Sequence, residues 1–213
     1  AIMHIGMPAM ATNMIIPFAS GITVALVAGY GVDAVAGFGV AMRIEPVVLI
    51  GFYALSGVIG PFFGQNMAVE YQHRQKQALY LVMRFCLAFG LGIAVLLWFM
   101  AEPVTRLFSD NPSIVSVSVA YLMLVPISYG IYGLVMSINA TFNGLGKPFP
   151  AVVISVLRVL GFYLPLVWLG QHYWGIHGLF AATAISNILA GLLAFYWIRR
   201  DLKRQSILEE SSV

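Results

Sequence analysis

The sequence predicts an all-α membrane protein, a bundle of six transmembrane helices. Hydrophobic residues make up 61% of its 213 residues and charged residues only 9%, whereas about a quarter of the residues in a soluble domain are charged. A helix needs about 20 apolar residues to cross a hydrocarbon core of about 30 Å. Six such stretches follow one another along the chain. They use most of its length, so any function must lie in or between the helices.

Polar and turn-forming segments divide the predicted spans, most clearly residues 70–77 and 102–112. The second span would be about 50 Å long at 1.5 Å per residue. It must therefore protrude, tilt or break near Pro46 and Pro61. The spans cover residues 2–28, 34–66, 78–100, 113–142, 149–170 and 177–198, and residues 199–213 form a predicted basic tail.

The distribution of lysine and arginine predicts the orientation, because the side of the membrane with more cations in short loops is cytoplasmic. One side carries Arg106, and both termini fall on the other, cytoplasmic side. The chain starts with Ala1 and has no basic segment before its first span, so we interpret it as a fragment of a longer protein. The cytoplasmic cations are Arg74, Lys76, Lys147, Arg199, Arg200, Lys203 and Arg204.

Three charged residues fall deep inside the predicted spans and are candidates for ion coupling: Glu45, Arg43 and Arg158. A charge near the bilayer centre costs at least about 2.5–3.5 kcal/mol, so such residues face the protein interior and have partners. Glu45 lies about 18 Å along its helix from Asp33, and Arg158 about 16 Å from Lys147. A Glu45–Arg158 bridge is therefore possible, with either a structural or a transport role.

Polar side chains inside or at the ends of the spans are candidates for a substrate cavity. They can hydrogen-bond a substrate, although amides in membrane helices also join helix to helix. The ten methionines and fourteen phenylalanines suit a pocket for varied apolar cations. The candidates are Thr12, Asn13, Gln65, Asn66, Ser137, Asn139 and Asn143.

Several chemistries lack a matching motif. Cys86 is the single cysteine, and no metal-ligand spacing, phosphate-binding glycine loop or nucleotide motif occurs. We therefore expect no cofactor, no bound metal, no nucleic-acid partner and no enzymatic activity, with energy taken from an ion gradient. The competing hypothesis is an intramembrane serine protease using Ser56 with His172 or His177, but both histidines fall near the outer surface, away from the serine.

Several short segments, spread in a fixed order along almost the whole chain, are typical of one transporter family. They are residues 8–13, 34–39 (Ala-Val-Ala-Gly-Phe-Gly), 43–45 (Arg-Ile-Glu), 64–66 (Gly-Gln-Asn), 125–130 (Val-Pro-Ile-Ser-Tyr-Gly), Asn139, and 143–148 (Asn-Gly-Leu-Gly-Lys-Pro). Through this ordered set the chain resembles the second, C-terminal lobe of the multidrug and toxic compound extrusion (MATE) family.

The resemblance implies a twelve-helix antiporter of the inner (plasma) membrane, whose two six-helix lobes enclose a cavity. It would export cationic amphiphilic drugs by alternating access, in exchange for sodium ions or protons, and its N-terminal lobe is missing here. Members that bind the coupling cation in this lobe use acids on its first and fourth helices. This sequence has only Thr12 and Asn13, and Ser128, Ser137 and Asn139, in those helices. The coupling carboxylate is thus Glu45 or lies in the other lobe.

A lipid-linked oligosaccharide flippase of related architecture is the alternative within the transporters. Such a flippase handles anionic substrates, so it should line its cavity with several cations. Only Arg43 and Arg158 lie deep in the predicted spans. The two classes are therefore distinguished by the number of cations that face the cavity.

Overall fold

A computed structural model of the chain describes residues 17–66 and 72–210, with side chains described up to residue 202. The described residues are almost entirely helical. A 3₁₀ turn, Val125–Ser128, joins two of the helices, and a π-helical segment, Leu157–Tyr163, joins two others. The α-helices are α1 (Pro17–Ala28), α2 (Val32–Val48), α3 (Ile50–Gln65), α4 (Gln72–Arg106), α5 (Pro112–Leu124), α6 (Tyr129–Gly144), α7 (Pro148–Val156) and α8 (Leu164–Glu210).

Among the described residues, three helical runs are long and apolar enough to cross a membrane: His73–Arg106, Pro112–Gly144 and Pro148–Leu202. The bent pair α2 and α3 makes a fourth. The last run is 55 residues long and reverses at Gly175, whose φ of 56° and ψ of −136° leave the helical region. It therefore crosses twice. With α1, a shorter apolar helix, the described residues form six helical passes in the bundle, in agreement with the six-helix prediction.

The helix ends at one end of the bundle carry most of the described cations, and we call this the basic end. Lys147, just before α7, lies 2.7 Å from the carboxylate of Asp201 in α8. Gln75 in α4 donates a hydrogen bond to the carbonyl of Asn66, just after α3. The ends of α3, α6 and α8 and the starts of α4 and α7 therefore meet here.

The α1–α2 and α4–α5 connections and the reversal in α8 lie at the opposite end of the bundle. Thr105 near the end of α4 lies 3.2 Å from Ser118 in α5, measured between the two hydroxyl oxygens. A Cβ on Gly175 would be 3.7 Å from the ring of Tyr30, so the reversal in α8 lies beside the α1–α2 connection. This alternation of ends is what six antiparallel passes require.

Large aromatic side chains are exposed toward this opposite end. The exposed fraction is 60% for Trp98 in α4 and 70%, 73% and 70% for Trp168, Tyr173 and Trp174 beside the α8 reversal. Tryptophan and tyrosine gather at membrane interfaces, where the ring is in contact with lipid and its polar atom reaches water. Their exposure thus agrees with a chain solvated by lipid.

The second span breaks once rather than remaining straight. α2 and α3 meet at Leu49 with a bend of 47°, three residues after Pro46. Proline removes a backbone donor and its ring presses on the preceding turn, so the helix weakens there. Pro61, the second candidate for a break, remains inside α3. The predicted fourth span is likewise divided, by the 3₁₀ turn that contains Pro126.

Helices also extend beyond the predicted bounds. α4 includes most of the predicted loop 70–77 and reaches Arg106, whose guanidinium pairs with Glu102 at 2.8 Å, one turn earlier. Such pairs stabilise a helix after it has left the lipid. The predicted basic tail is also helical as far as Glu210, in α8. Hydropathy marks the lipid-embedded part of a helix, whereas the helix itself continues into water.

Helix α6 lies in the centre and packs against α3, α4 and α8. Its contact with α3 depends on backbones that touch directly, because a Cβ on Gly144 would lie 2.0 Å from the carbonyl oxygen of Gly60. On its α4 side, the fully buried Cys86 thiol lies 3.9 Å from the Ser137 hydroxyl. Small residues permit this close approach, as is common between membrane helices.

Candidate functional site

A partly open cavity of about 190 Å³, lined by both polar and apolar side chains, lies between α1, α2, α5, α6, the π-helical segment and α8. We call it the central cavity. One part of its wall is apolar and includes Phe38, Met42, Val125 and Val159. The rest carries hydroxyl, amide and charged groups, from Ser20, Thr23, Glu45, Tyr121, Tyr129, Tyr132, Arg158, Tyr163, Thr183, Ser186 and Asn187.

Glu45 provides the carboxylate of the central cavity. It lies in the last turn of α2, directly before Pro46 and the bend at Leu49. The buried phenols of Tyr121 in α5 and Tyr129 in α6 both donate to Glu45 Oε2, at 2.5 and 3.1 Å. A buried carboxylate needs such donors to offset its lost hydration. Glu45 therefore links the bend of the second span to the fourth.

Arg158 provides the guanidinium of the central cavity. Its Nη1 donates to Asn187 Oδ1 at 3.2 Å, and its guanidinium carbon lies 4.9 Å from the ring centroid of Tyr132. Asn187 in turn donates to the hydroxyl of Ser128 at 3.1 Å. Arg158 lies in the π-helical segment, a geometry often found at functional sites. The last three spans are thus joined by one polar network.

Glu45 and Arg158 line the same cavity without forming a direct bridge. The close ion pairs among the described residues lie at the two ends of the bundle and not in the central cavity. The possible Glu45–Arg158 bridge is therefore not formed. The phenols of Tyr121 and Tyr129 occupy the carboxylate, and the ring of Tyr132 holds the guanidinium. Opposite charges consequently face a shared space.

A second pair of hydroxyl groups lies in the cavity wall on the α1 side. Thr23 donates to the carbonyl of Ala19 at 2.9 Å, and its hydroxyl oxygen lies 2.7 Å from that of Tyr163. Tyr163 therefore donates to Thr23. The contact joins α1 to the π-helical segment. It also adds to the cavity wall two hydroxyl oxygen atoms that can coordinate a cation.

The remaining candidates for ion coupling and for the substrate cavity lie elsewhere. Arg43 is exposed, because two residues turn an α-helix by about 200° from Glu45. Ser137 is buried and donates to its own helix at the Gly133 carbonyl. Asn139 donates to Ser155 at 3.2 Å, while its Oδ1 is buried without a hydrogen-bond partner among the described residues.

The other substrate-cavity candidates lie at the basic end or outside the described residues. Asn66 donates to the carbonyl of Phe62 in its own helix. Gln65 and Asn143 are exposed. The described members of the predicted substrate set thus do not meet in one cavity. Thr12 and Asn13 lie outside the described residues.

The groups needed by the protease hypothesis are not assembled. Ser56 donates to the carbonyl of Tyr53 in its own helix at 2.9 Å. His172 and His177 are exposed on either side of Gly175, at the opposite end. No three His, Cys, Asp or Glu residues of the described chain come together as metal ligands. Any cation here would rely on Glu45 and hydroxyl oxygens.

Sequence comparison gives a family match and curated relatives. The MatE family model matches residues 8–169. The chain is 35% identical over 197 residues to the FAD transporter of Shewanella oneidensis, covering 92% of this chain and 44% of the relative. It is 27% identical over 152 residues to Protein DETOXIFICATION 9 of Arabidopsis thaliana, covering 70% and 31%. The chain spans less than half the length of these relatives.

Solved structures share the fold. The MATE transporter VcmN of Vibrio cholerae in its bent form superposes with a TM-score of 0.91 at 32% identity, covering 97% of this chain and 47% of that one. A MOP superfamily transporter from Pyrococcus furiosus gives a TM-score of 0.87 at 18% identity, covering 95% and 46%. The latter identity supports the fold alone. In both cases the six-pass bundle corresponds to about half of the neighbour.

Proposed function

The chain belongs to the MatE family, and on this premise we propose that it is the C-terminal lobe of a cation-coupled antiporter. Its partner is an N-terminal six-helix lobe, which accounts for the doubled length of the solved neighbours. The whole protein exports cationic amphiphilic drugs and toxic compounds by alternating access, in exchange for sodium ions or protons. It lies in the inner membrane, with both ends of the present chain on the cytoplasmic side.

The observation that carries this proposal is the placement of Glu45 in the central cavity. A carboxylate surrounded by hydroxyl groups can take up a proton, or bind Na⁺ through oxygen ligands as hard cations require. Transporters place their coupling sites near the bilayer midplane at broken helices, and Glu45 precedes the 47° bend between α2 and α3. Arg158 balances the carboxylate while no cation is bound.

Coupling then follows from competition for one carboxylate. A cation on Glu45 displaces or redirects the hydrogen bonds from Tyr121 and Tyr129. Those bonds tie the second span to the fourth, so their loss changes the bend at Leu49. A ligand can shift a conformational equilibrium only by its different affinity for the two states. The phenols of Tyr121 and Tyr129 provide this difference in cation affinity, because they hydrogen-bond to Glu45 in only one of the two conformational states.

The test is Glu45→Gln in the full-length protein, reconstituted into proteoliposomes with an imposed ion gradient. We expect gradient-driven efflux of a fluorescent organic cation to fall at least tenfold, because Gln cannot exchange a proton or carry a charge. Glu102→Gln is the matched control, since that exposed carboxylate pairs only with Arg106 at a bundle end. Unimpaired efflux with unchanged pH and sodium dependence would eliminate the coupling role.

A second candidate substrate is an anionic flavin dinucleotide. The relative named FAD transporter supports it, as does Arg158, a cation over the Tyr132 ring in the cavity wall. FAD greatly exceeds a 190 Å³ cavity, so it would bind between the lobes and place only one group here. In transport assays with both substrates, Arg158→Gln should reduce FAD transport and spare the organic cation if this candidate is right.

The flippase alternative has less support. Its anionic substrate calls for several cations along the cavity, and among the described residues Arg158 is the one arginine or lysine in the central cavity. Arg43 is exposed on the other side of its helix. Transport of lipid-linked oligosaccharide by the reconstituted protein would restore this alternative.

A further inference from the structure

A second, larger space lies far from the central cavity, at the basic end of the bundle. It has a volume of about 710 Å³ and separates the start of α4 from the last part of α8. Both helices pack on α6, which leaves a groove between them. Its wall includes Lys76, Tyr80 and Arg199. We call this space the basic groove.

The basic groove is polar at its mouth and apolar toward the membrane centre. On α4, Lys76 is followed by Leu79 and Met83, at spacings that share one helical face. On α8, Arg199 follows Phe195 by one turn. Both cations thus lie closer to the basic end than Leu79, Met83 and Phe195, and the apolar side chains extend about 10 Å deeper along α4. The buried Leu202 lies just beyond Arg199 on α8. Cations followed by apolar side chains match a phospholipid, whose anionic phosphate lies nearer the membrane surface than its acyl chains.

The charges of the groove favour an anion. Among the side chains described, its lining contains no carboxylate, and Lys76 and Arg199 form no ion pair within the described residues. Asp201 is two positions from Arg199, but it lies on another face of α8, where it pairs with Lys147. The exposed Arg84 lies outside the lining, but its guanidinium is 5.6 Å from the Tyr80 ring centroid and so adds positive charge near the groove.

We propose that the basic groove binds one anionic phospholipid, with its phosphate between Lys76 and Arg199 and an acyl chain along Leu79, Met83 and Phe195. Basic pockets between membrane helices bind anionic headgroups in this way. The apolar wall distinguishes a lipid from free phosphate, which would use the cations alone. A bound lipid would also join α4 to α8 where the protein itself leaves a gap. The inference is independent of the transported substrate.

The test is native mass spectrometry of the full-length protein titrated with phosphatidylglycerol or phosphatidylcholine of identical acyl chains. We expect the first phosphatidylglycerol to bind at least fivefold more tightly than phosphatidylcholine. Lys76→Gln and Arg199→Gln should each weaken phosphatidylglycerol binding about fivefold, equal to about 1 kcal/mol per cation. Phosphatidylcholine binding should be unchanged.

Arg200→Gln is the matched control, because it removes the neighbouring cation at the same depth but about 100° around the helix, outside the groove lining. Its effect should stay below twofold. Should Arg199→Gln fail to fold, Lys76→Gln carries the test alone. An effect of Arg200→Gln equal to that of the groove variants would overturn the proposal, as would equal affinity for the two lipids, the result expected if the other lobe fills the groove.

A separate experiment tests the contacts of the acyl chain. Glycerophosphoglycerol, the headgroup without acyl chains, and inorganic phosphate should fail to displace phosphatidylglycerol at a hundredfold excess. Met83→Gln, which makes the apolar wall polar, should weaken phosphatidylglycerol binding. Displacement of phosphatidylglycerol by either soluble anion would contradict the lipid proposal and indicate a site for small anions.

Discussion

Glu45 is the residue on which the central cavity depends, because its carboxylate is shared by two spans. Tyr121 and Tyr129 donate to it from α5 and α6. Each phenol is buried and loses its partner if the carboxylate is removed. A buried donor without a partner costs about 1–3 kcal/mol, so the three residues stabilise one another and hold one arrangement of the helices.

Removing one phenol should therefore be measurable. Tyr121→Phe keeps the ring and deletes the hydroxyl group that reaches Glu45, and we expect it to lower stability by about 1–2 kcal/mol. Thermal unfolding of the full-length protein in detergent measures the effect as a lower Tm. Tyr53→Phe is the control, since that side chain is 48% exposed. Equal Tm values for the two variants would contradict a structural role of the hydrogen bond.

Sequence reasoning found the acid of the site and missed its partners. Glu45 stands out because it is the single acid inside a predicted span. Tyr121 and Tyr129 do not, since tyrosines are common in membrane helices and their hydroxyls acquire a role only after three helices have packed. Asn187 carries a usable signal, because it is the one amide in the last predicted span.

At the scale of helices, direct backbone contact fixes the position of α6 against α3. Gly144 and Gly60 leave no room for a side chain between them, because a Cβ on Gly144 would overlap the Gly60 carbonyl. The contact lies near the basic end, far from the central cavity. It thus sets helix spacing without taking part in the polar network.

Gly144→Ala should push these helices apart, and we expect a loss of about 1–3 kcal/mol, typical of overpacking. Size-exclusion profiles and thermal unfolding of the full-length protein report it. Gly92→Ala is the matched control, because a Cβ there meets nothing within 4 Å and alanine favours the helix. A Gly144→Ala protein as stable as Gly92→Ala would show that the contact is not tight.

The number of passes could be predicted, while the shapes of the helices could not. Hydropathy counts apolar stretches, and six were found. The bend at Leu49 and the intact helix around Pro61 show why breaks escape prediction. A proline removes one hydrogen bond in either case, and the neighbouring helices decide whether the remaining backbone bends.

At the scale of the whole molecule, the distribution of cations predicts the orientation of the chain in the membrane. Single cysteines at positions 74 and 106 should be labelled from opposite sides of the membrane by an impermeant maleimide in intact cells and in inverted vesicles. The native Cys86 is fully buried and should remain unlabelled. Any cysteines in the rest of the full-length protein are first replaced by serine. Labelling of both positions from one side would refute the six-pass arrangement.

The exposed aromatic side chains also have an optical consequence. Three of the four tryptophans, Trp98, Trp168 and Trp174, are 60–70% exposed toward the end opposite the cations, whereas Trp197 packs against Phe142 near the basic end. Brominated lipids quench indole fluorescence on contact. Tryptophan emission from this lobe should therefore be quenched mainly by bromolipids in one leaflet. The native tryptophans thus report, without an added dye, which leaflet surrounds the end of the bundle opposite the basic end.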